Sequence, residues 1–346
     1  MLVHFLTDAP ARIPTVRAML APRYRMVPHL LGADDADLDP NGVIIVDADL
    51  RQADRVEQIR QALRQPGCGC DRLFVVHHHL HRLVVQAYAL GATAVASGPG
   101  EILSSLAQIQ FAKEAPRSGV LLASTQTMES VTAFASIFSA AMGGTPVDLS
   151  DAERATSHII SSVEQNGLAA WLDDVRRHHE GTFQHCLLAT GVAIGFALDL
   201  GFASRDVKQL GMAATLHDIG KARIPLSILD KPGRLDRDEI AIMKRHSTIG
   251  FEVLKDIPGI SPESLAGVRH HHEYMDGSGY PDGLTAGDLS DLVRMLTISD
   301  IFAALIESRA YKPVMPRQVA YDILSGMEGK LERPLVDAFR FTATKA

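Results

Sequence analysis

The chain has 346 residues, of which 46% are hydrophobic and 22% are charged, and its formal net charge is −7. This length is sufficient for two domains that each bury their own core, and the composition is ordinary for a folded protein. The negative charge excludes a general nucleic-acid binder, because no basic excess is present to neutralise a phosphate backbone. A small anionic substrate held by a few local cations is still compatible with it.

The sequence predicts a cytoplasmic protein without membrane contact. Its first residues lack a basic region, and no apolar run reaches the roughly 18 residues that a membrane span requires. The three cysteines, Cys68, Cys70 and Cys186, make no disulfide framework and suit a reducing compartment. We interpret Cys68 and Cys70 as part of an ordinary loop rather than as a redox or metal-binding pair.

Residues 1–112 alternate short apolar runs with amphipathic segments. Buried parallel strands are predicted from the apolar runs at Leu2–Thr7, Val43–Val46, Leu73–Val76 and Thr93–Ala96. Helices between them are predicted at Ile13–Leu20, Arg55–Leu63 and Leu83–Leu90. This repeating βα pattern predicts a doubly wound α/β domain.

From residue 113 onwards the pattern changes to helical periodicity. We interpret residues 113–149 as a helical linker and residues 150–346 as an all-α domain. Asp148-Leu-Ser150 is typical of a helix start. Asp236 and Glu239 have the spacing of a capping box, and the helix that they open is predicted to contain His246. The predicted fold is therefore an α/β domain followed by a helical one.

Seven residues of the helical part carry side chains that can bind metals. They are spaced by roughly 25–32 residues, about two helices and a turn, so a helical domain can bring them to one centre. Imidazoles and carboxylates without thiolates favour iron, manganese or zinc and disfavour a structural zinc site. The seven are His185, His217, Asp218, His246, His271, His272 and Asp300.

The number of these ligands favours a hydrolytic centre over a structural one. Two octahedral metals have about twelve coordination positions, of which seven residues with Asp218 as a bridge fill about eight. A bridging hydroxide fills about two more, which leaves about two positions for phosphate oxygens. Asp300 supports the set, because a carboxylate within an apolar run needs a buried partner. Taken singly, His185 or His246 would more often be an ordinary core or surface histidine.

Nearby cations could bind the phosphate of a substrate. Lys221 lies one helical turn after Asp218, so the two side chains can face the same site. Arg309 and Lys312 follow Asp300 and could clamp a phosphate, or could be solvated cations at a helix end.

The segment Asp276–Pro281 has the composition of a stiff binding loop. Gly277 and Gly279 allow close backbone approach, and Pro281 restricts the exit of the loop. Tyr280, which lies between Gly279 and Pro281, either stacks on a base or only packs.

These motifs resemble the HD-GYP family of cyclic-di-GMP phosphodiesterases, a branch of the HD phosphohydrolase superfamily. The resemblance covers roughly residues 150–341. It rests on Thr182-x-x-His185, His217-Asp218-Ile-Gly-Lys221, Ile228-Leu-Asp-Lys-Pro-Gly233, Met243-Lys-Arg-His246, His271-His-Glu-x-x-Asp-Gly-Ser-Gly-Tyr-Pro281, Asp300 and Arg309-x-Tyr-Lys312. The family implies an all-helical domain with two or three metals, commonly iron or manganese, that hydrolyses a phosphodiester of the cyclic dinucleotide.

The resemblance also implies a role for each matching position. One metal would be held by His185, His217, Asp218 and Asp300. The other would be held by Asp218, His246, His271 and His272. Catalytic roles would fall to Asp218 and Lys221. Substrate contacts would fall to Lys221, Gly279, Tyr280, Arg309 and Lys312.

Two departures from the family pattern refine this expectation. Family members with a third metal use a glutamate four residues before the first histidine, where this chain has Gly181. The adjacent Glu180 would point about 100° away on a helix. We therefore expect two divalent metals, iron or manganese, and linear pGpG as the main product rather than GMP. Ala303 replaces an aspartate that is frequent in the family but is not a ligand, so only packing should change.

The amino-terminal part resembles a degenerate response-regulator receiver domain. Asp47 stands at the position of the phosphoacceptor, and Asp8 could belong to the acidic pair that binds Mg²⁺. His77 occupies the position of the switch Ser or Thr, and Ser97-Gly98 lacks the lysine that follows the last strand. Phosphotransfer needs that cation. We therefore favour a pseudo-receiver that serves homodimerisation or protein contact over a phosphorylated switch. The run His77–His81 is interpreted as a polar loop rather than a metal site.

The predicted function is hydrolysis of cyclic-di-GMP to pGpG in bacterial second-messenger signalling. One alternative is a hydrolase for another cyclic dinucleotide such as 3′,3′-cGAMP. Another alternative is a non-catalytic module that acts through contacts, for example with a GGDEF-type cyclase.

Overall fold

The computed structural model describes residues 1–32, 38–63, 70–77, 81–96, 98–114, 119–178, 182–229, 231, 233–307 and 314–345. The chain divides into two compact units, Met1–Ser118 and Gly119–Ala346. The first contains a parallel sheet and the second is helical, which confirms the predicted order of an α/β domain and a helical domain. The predicted three-part division at residues 112 and 149 stays a prediction.

The first unit is a five-stranded parallel sheet with the strand order β2-β1-β3-β4-β5, one of the two common doubly wound orders. Its strands are β1 (Leu2–Thr7), β2 (Arg25–Leu30), β3 (Val43–Asp47), β4 (Asp71–Val75) and β5 (Ala94–Ala96). Its helices are α1 (Ile13–Leu20), α2 (Ala53–Ala62), α3 (His81–Ala89) and α4 (Pro99–Glu114), with a 3-10 turn at Pro10–Arg12. Apolar side chains of β1, β3 and β4 form a core with α1 and α4.

Strand β2 is the element of this sheet that the sequence pattern did not predict. It lies at the sheet edge beside β1, where Phe5 is paired with Pro28. Both of its terminal residues are exposed and none is fully buried, so it lacks the continuous apolar run by which the central strands were found. A proline without an N–H donor is tolerated at such an edge.

The cysteines differ from expectation in one respect. Cys186 is free and buried. Cys70, by contrast, is disulfide-bonded, and Cys68 lies outside the described residues. The expectation that the cysteines form no disulfide was therefore wrong for Cys70, and the interpretation of residues 68–70 as an ordinary loop stays a prediction.

The elements of the second unit are helices joined by loops, and its described residues contain no strand. Its longer helices at the start are α5 (Gly119–Gly143), α6 (Leu149–His178), α7 (Thr182–Asp199) and α8 (Ser204–Leu216). A 3-10 turn at Ile219–Arg223 follows α8. The remaining helices are α9 (Leu226–Leu229), α10 (Arg237–Lys244), α11 (His246–Leu254), α12 (Pro262–His270), α13 (Asp291–Ile306), α14 (Arg317–Ser325) and α15 (Arg333–Thr344).

Two helix boundaries in this unit follow directly from local sequence. The predicted capping box at α10 is confirmed, because the Asp236 side chain accepts backbone N–H groups while Glu239 accepts the Asp236 N–H. The helix that it opens ends at Lys244, and His246 begins α11 instead of continuing α10. Helix α6 is interrupted at Gly167, whose positive φ of 83° is outside the helical range.

Among the described helices, none combines the length and apolar character that a bilayer crossing requires.

Candidate metal centre

The seven predicted ligands lie together in the second unit, although they come from five helices or helix ends. His185 lies on α7 and Asp300 on α13, whereas the other five stand at helix termini. Three triads each have ligand atoms within 4.8 Å of one another: His185–His217–Asp300, His217–Asp218–His271 and His246–His271–His272. The helical domain therefore converges on one polar centre.

Asp218 connects the two sides of this centre. Its Oδ2 is 3.3 Å from His217 Nε2 and 3.6 Å from His185 Nε2. Its Oδ1 lies 3.4 Å from His246 Nε2. Each oxygen of one carboxylate therefore faces a different group of imidazoles, which is the arrangement that a bridging ligand requires.

Asp300 completes the side of the centre that contains His185. Its Oδ1 is 2.9 Å from His185 Nε2 and 3.6 Å from His217 Nε2, and its Oδ2 is 3.7 Å from His272 Nδ1. The side chain is only 8% exposed. The carboxylate in the apolar run of α13 thus has the buried partners that its position requires.

Backbone carbonyls fix the orientation of three imidazoles. The Nδ1 atoms of His217, His246 and His271 lie 2.7, 2.7 and 2.9 Å from the carbonyl oxygens of Ala214, Met243 and Val268. A carbonyl can only accept, so Nδ1 donates, and in the neutral ring the lone pair is on Nε2. This is the second-shell arrangement that presents Nε2 to a metal.

The electrostatics of the centre suit cation binding. Burial lowers the pKa of His246 to about 3, although Asp218 opposes this shift. Burial, followed by neighbouring imidazoles, holds the pKa of His271 well below its ordinary value. Burial alone would lower the pKa of His217, but Asp218 and Asp300 raise it to about 10. His246 and His271 therefore offer neutral imidazoles, whereas the carboxylates favour a positive charge at His217, a proton that a bound metal ion would replace.

The donor set fits divalent metal ions. His217 Nε2 and Asp218 Oδ1 are buried and have no hydrogen-bond partner among the described residues. Buried polar atoms are otherwise almost always paired. Both atoms face the centre, where a metal ion would satisfy them.

Lys221 places a cation beside the shared carboxylate. Its Nζ donates to Asp218 Oδ2 at 2.6 Å, and its side chain remains 29% exposed. Burial would raise the pKa of Asp218, but Lys221 and His217 hold it well below the ordinary value. Burial would likewise lower the pKa of Lys221, but Asp218 raises it. Both groups are therefore charged at neutral pH, and the ammonium can reach a bound anion.

The glycine-rich loop after the two adjacent histidines lies against the centre. A β-carbon at Gly279 would be 2.4 Å from the Cα of Glu273, so this position requires glycine. The Tyr280 ring stacks on His272 with 4.7 Å between the ring centroids, and Lys244 Nζ lies 4.8 Å from the Tyr280 centroid. The Tyr280–Pro281 peptide bond is cis. Tyr280 therefore packs on a ligand candidate.

Some predicted residues fall outside the described part of the chain. Arg309 and Lys312, the predicted phosphate clamps, lie there, and so do Glu180 and Gly181. Their roles stay predictions.

Sequence reasoning missed one buried acid beside the centre. Glu273 is 1% exposed and accepts three backbone N–H groups of the glycine-rich loop. Its position directly after His272 was visible in the sequence. Its partners were not, because backbone amides carry no residue identity.

In the first unit, Asp47 stands at the carboxyl end of β3 and is buried. Its Oδ1 accepts from Arg12 and lies 2.6 Å from His77 Nε2. Asp8 accepts the backbone N–H of Asp49. The candidate phosphoacceptor is therefore paired with two basic side chains.

Comparison with known proteins relates the second unit to one domain family. Residues 168–334 match the family model described as HD domain. The matched segment begins directly after the interruption of α6 at Gly167 and includes all seven candidate ligands.

Curated relatives match part of the chain. The chain is 42% identical over 145 residues to the cyclic di-GMP phosphodiesterase response regulator RpfG of Xanthomonas campestris pv. campestris, covering 41% of this chain and 38% of that protein. It is 34% identical over 182 residues to a cyclic di-GMP phosphodiesterase of Pseudomonas aeruginosa, covering 52% and 44%. It is 37% identical over 142 residues to the 3′3′-cGAMP-specific phosphodiesterase 2 of Vibrio cholerae, covering 40% and 27%. The matches thus span less than half the length of these relatives.

A solved structure has a similar fold. An HDG"Y"P protein from Bdellovibrio bacteriovorus superposes with a TM-score of 0.52 at 18% sequence identity, covering 69% of this chain and 79% of that one. At this identity the similarity concerns the fold alone.

Proposed function

We propose that this chain, whose residues 168–334 match the HD domain family model, is a metal-dependent phosphodiesterase that hydrolyses cyclic-di-GMP. The observation that carries the proposal is the position of Asp218, which presents one carboxylate oxygen to each of two imidazole groups. Such a centre can hold two divalent ions. We further propose iron or manganese, because the donor set combines imidazole with carboxylate and contains no thiolate.

The charges of the site support an anionic substrate only when metals are bound. Lys221 and protonated His217 together only balance the two carboxylates, Asp218 and Asp300, so the bare centre has no excess positive charge for a phosphodiester. Bound divalent ions would supply that charge, polarise a phosphoryl oxygen and lower the pKa of water.

The protein residues would then orient and neutralise the reacting groups. His217, His246 and His271 are held by backbone carbonyls, so their Nε2 atoms do not need to reorganise during the reaction. Lys221 is charged and partly exposed, so it can donate to a phosphoryl oxygen while it stays near Asp218. The loop with Tyr280 would cover the side of the centre at His272 and exclude water there.

Linear pGpG is the proposed main product. Gly181 stands where a third-metal glutamate would be required, so we propose a two-metal centre that opens one phosphodiester of the ring. Hydrolysis of pGpG to GMP should then be much slower than ring opening.

A second substrate is supported by the comparisons. The 3′3′-cGAMP-specific phosphodiesterase 2 of Vibrio cholerae has an identity to this chain, 37%, within the range of the cyclic di-GMP enzymes. Hydrolysis of a mixed cyclic dinucleotide is therefore the alternative activity. The non-catalytic alternative, in which the domain acts only through protein contacts, would require a centre that does not turn over either nucleotide.

We also propose that the first unit is a receiver-like domain that does not accept phosphate. The strand order and the position of Asp47 at the end of β3 support the likeness, and the pairing of Asp47 with Arg12 and His77 supports the loss of phosphotransfer. A role in homodimerisation or in contact with a GGDEF-type protein, and a cytoplasmic location, rest on the sequence alone.

Turnover by anaerobically purified protein loaded with iron or manganese tests the activity. Cyclic-di-GMP and 3′,3′-cGAMP should be offered separately to wild-type protein and to Asp218→Ala, with products resolved by chromatography. Formation of pGpG that is abolished by Asp218→Ala supports the proposal. Turnover of 3′,3′-cGAMP alone selects the second substrate, and no turnover at full metal content selects the non-catalytic role.

A further inference from the structure

We infer that Glu273 is a positioning residue that holds the Asp276–Leu284 loop against the metal centre and thereby sets the affinity for the cyclic dinucleotide. This inference deepens the proposed function and rests on it. Glu273 is not itself a member of the ligand triads found among the described residues. Its effect on substrate must therefore pass through the loop.

The Glu273 carboxylate is fully engaged by the backbone of that loop. Its Oε1 accepts the N–H groups of Asp282 at 2.6 Å and Gly283 at 3.0 Å, and its Oε2 accepts that of Leu284 at 3.1 Å. The residue is 1% exposed. A buried carboxylate needs such donors. The three consecutive amides in turn use this carboxylate as their hydrogen-bond acceptor. Glu273 and the loop therefore require each other.

A second anchor joins the same loop to the same segment of chain. Asp282 accepts two hydrogen bonds from Arg269, at 2.7 and 2.9 Å, and lies 2.9 Å from His270 Nε2. Residues 269, 270 and 273 thus bind the loop, whereas His271 and His272 between them face the metal centre. One five-residue segment couples the ligands to the loop.

The loop reaches the centre at Tyr280. The Tyr280 N–H donates to the His272 carbonyl at 3.2 Å, and the two rings are stacked. Gly279 fits against the backbone of Glu273 and Tyr274 so closely that a β-carbon would lie within 2.5 Å of both. Release of the Glu273 bonds would therefore let Tyr280 leave its position beside His272.

The consequence for catalysis is specific. The reacting phosphate would be held by metals and by Lys221. Lys221 and five of the seven ligand candidates lie outside the segment 269–273, and His271 within it is oriented by the Val268 carbonyl. The loop would contact the part of the nucleotide beyond that phosphate. Loss of the Glu273 bonds should accordingly weaken substrate binding more than the chemical step.

The test compares Glu273→Gln and Glu273→Ala with Glu252→Gln, an exposed acid that pairs with Lys255. Hydrogen–deuterium exchange of the metal-loaded proteins measures directly how often the backbone hydrogen bonds of the loop open. We expect the amides of residues 282–284 to exchange about tenfold faster in Glu273→Ala, less so in Glu273→Gln, and α13 to be unchanged. Glutamine keeps the shape of the side chain and one acceptor oxygen, so that variant should fold.

Steady-state kinetics of the same proteins separate an effect on substrate binding from an effect on turnover. We expect Glu273→Gln to raise KM for the hydrolysed dinucleotide about tenfold, to change kcat less than about threefold, and to leave the metal content unaltered. Glu252→Gln should match wild type. A tenfold loss of kcat at unchanged KM, or unchanged loop exchange in Glu273→Ala, would overturn the inference.

Failure of the proposed function would be distinguishable from failure of this inference. If wild-type protein hydrolyses no cyclic dinucleotide, the proposed function is wrong, and so is the effect on affinity. Faster exchange of residues 282–284 would then still support Glu273 as the anchor of the loop, whereas unchanged exchange would refute that as well.

Discussion

The backbone of Gly220 packs directly on the backbone of His246. A β-carbon built on Gly220 would lie 1.9 Å from the His246 carbonyl oxygen and 2.6 Å from the Gly250 nitrogen. The turn after Asp218 and the first turn of α11 are thus in contact without any intervening side chain. This contact sets the distance between the shared carboxylate and His246.

Gly220→Ala should therefore damage the metal centre. The backbone cannot yield locally, so α11 must shift and carry His246 away from Asp218. We expect the mutant to lose metal affinity by at least about tenfold and stability by about 1–3 kcal/mol. Metal titration and thermal unfolding measure both. Gly287→Ala is the control, because its β-carbon would meet no atom within 4 Å. Equal metal affinity in the two variants would contradict this account of the contact.

Loss of a ligand on one side of the centre should remove one metal, and loss of the carboxylate that faces both sides should remove both. His246 belongs to one imidazole group only, whereas Asp218 faces both. We expect about two metals per chain in wild type, about one in His246→Ala and almost none in Asp218→Ala. Elemental analysis after gel filtration provides the counts. His158→Ala, a histidine paired with Glu129 on another part of the helical unit, should retain the wild-type count.

Removal of the metals should lower the stability of the folded protein. The buried carboxylates of Asp218 and Asp300 would then lose cationic partners, and binding of a ligand to the native state alone stabilises it by mass action. At one hundred times the dissociation constant this amounts to about 2.7 kcal/mol. Thermal unfolding with and without a chelator measures the difference. An unchanged midpoint would show that the centre binds no metal in the native state.

Lys221 should contribute to the rate and little to metal binding. It donates to Asp218 but offers no lone pair to a metal while it is protonated. We expect Lys221→Met to lower kcat about 10²- to 10³-fold, the magnitude typical for loss of one preorganised donor to a developing charge. Metal content should be unchanged. Lys208→Met, at an exposed lysine near Glu153, is the matched control. A kcat within threefold of wild type would exclude this role.

Much of the centre was predictable because its polar residues stand in apolar stretches of the sequence. Asp300 lies among apolar residues of α13, and His217 follows the buried, mostly apolar carboxyl end of α8. A polar group in such a position needs a partner, and the other unexplained polar groups are the natural candidates. Helix spacing then allows them to meet. The central strands were predictable for the related reason that a continuous apolar run must be buried on both faces.

The remaining contacts depend on tertiary structure and leave no local signal. Glu273 binds backbone amides, which every residue but proline provides. Arg12 meets Asp47 from 35 positions away, and this pairing follows from the order of strands rather than from any spacing in the sequence. Strand β2 was missed because an edge strand with Pro28 needs no apolar run.

Trp171 provides a test of packing in the helical core. A β-carbon on Gly191 would be 2.2 Å from Trp171 Nε1, which donates to the Leu187 carbonyl. Gly191→Ala must displace the indole, so we expect a loss of about 1–3 kcal/mol despite the better helix propensity of alanine. Fluorescence of this single tryptophan reports unfolding. In Gly195→Ala the new β-carbon would meet the Leu168 side chain at 3.0 Å, a milder contact, and this variant should be less destabilising; the reverse order would contradict this packing.

Asp47 should not become phosphorylated. Arg12 and His77 both contact its Oδ1, and the side chain is only 4% exposed, so the carboxylate is already neutralised and shielded from a phosphodonor. We expect incubation with acetyl phosphate and Mg²⁺ to leave the intact mass unchanged. A phosphorylated species that is absent from Asp47→Asn would disprove this.

Arg12→Ala should destabilise the first unit by about 1–3 kcal/mol, because the buried acceptor Asp47 loses a charged partner. Arg51→Ala, at an exposed arginine paired with the half-buried Asp49, should have a smaller effect in the same unfolding experiment.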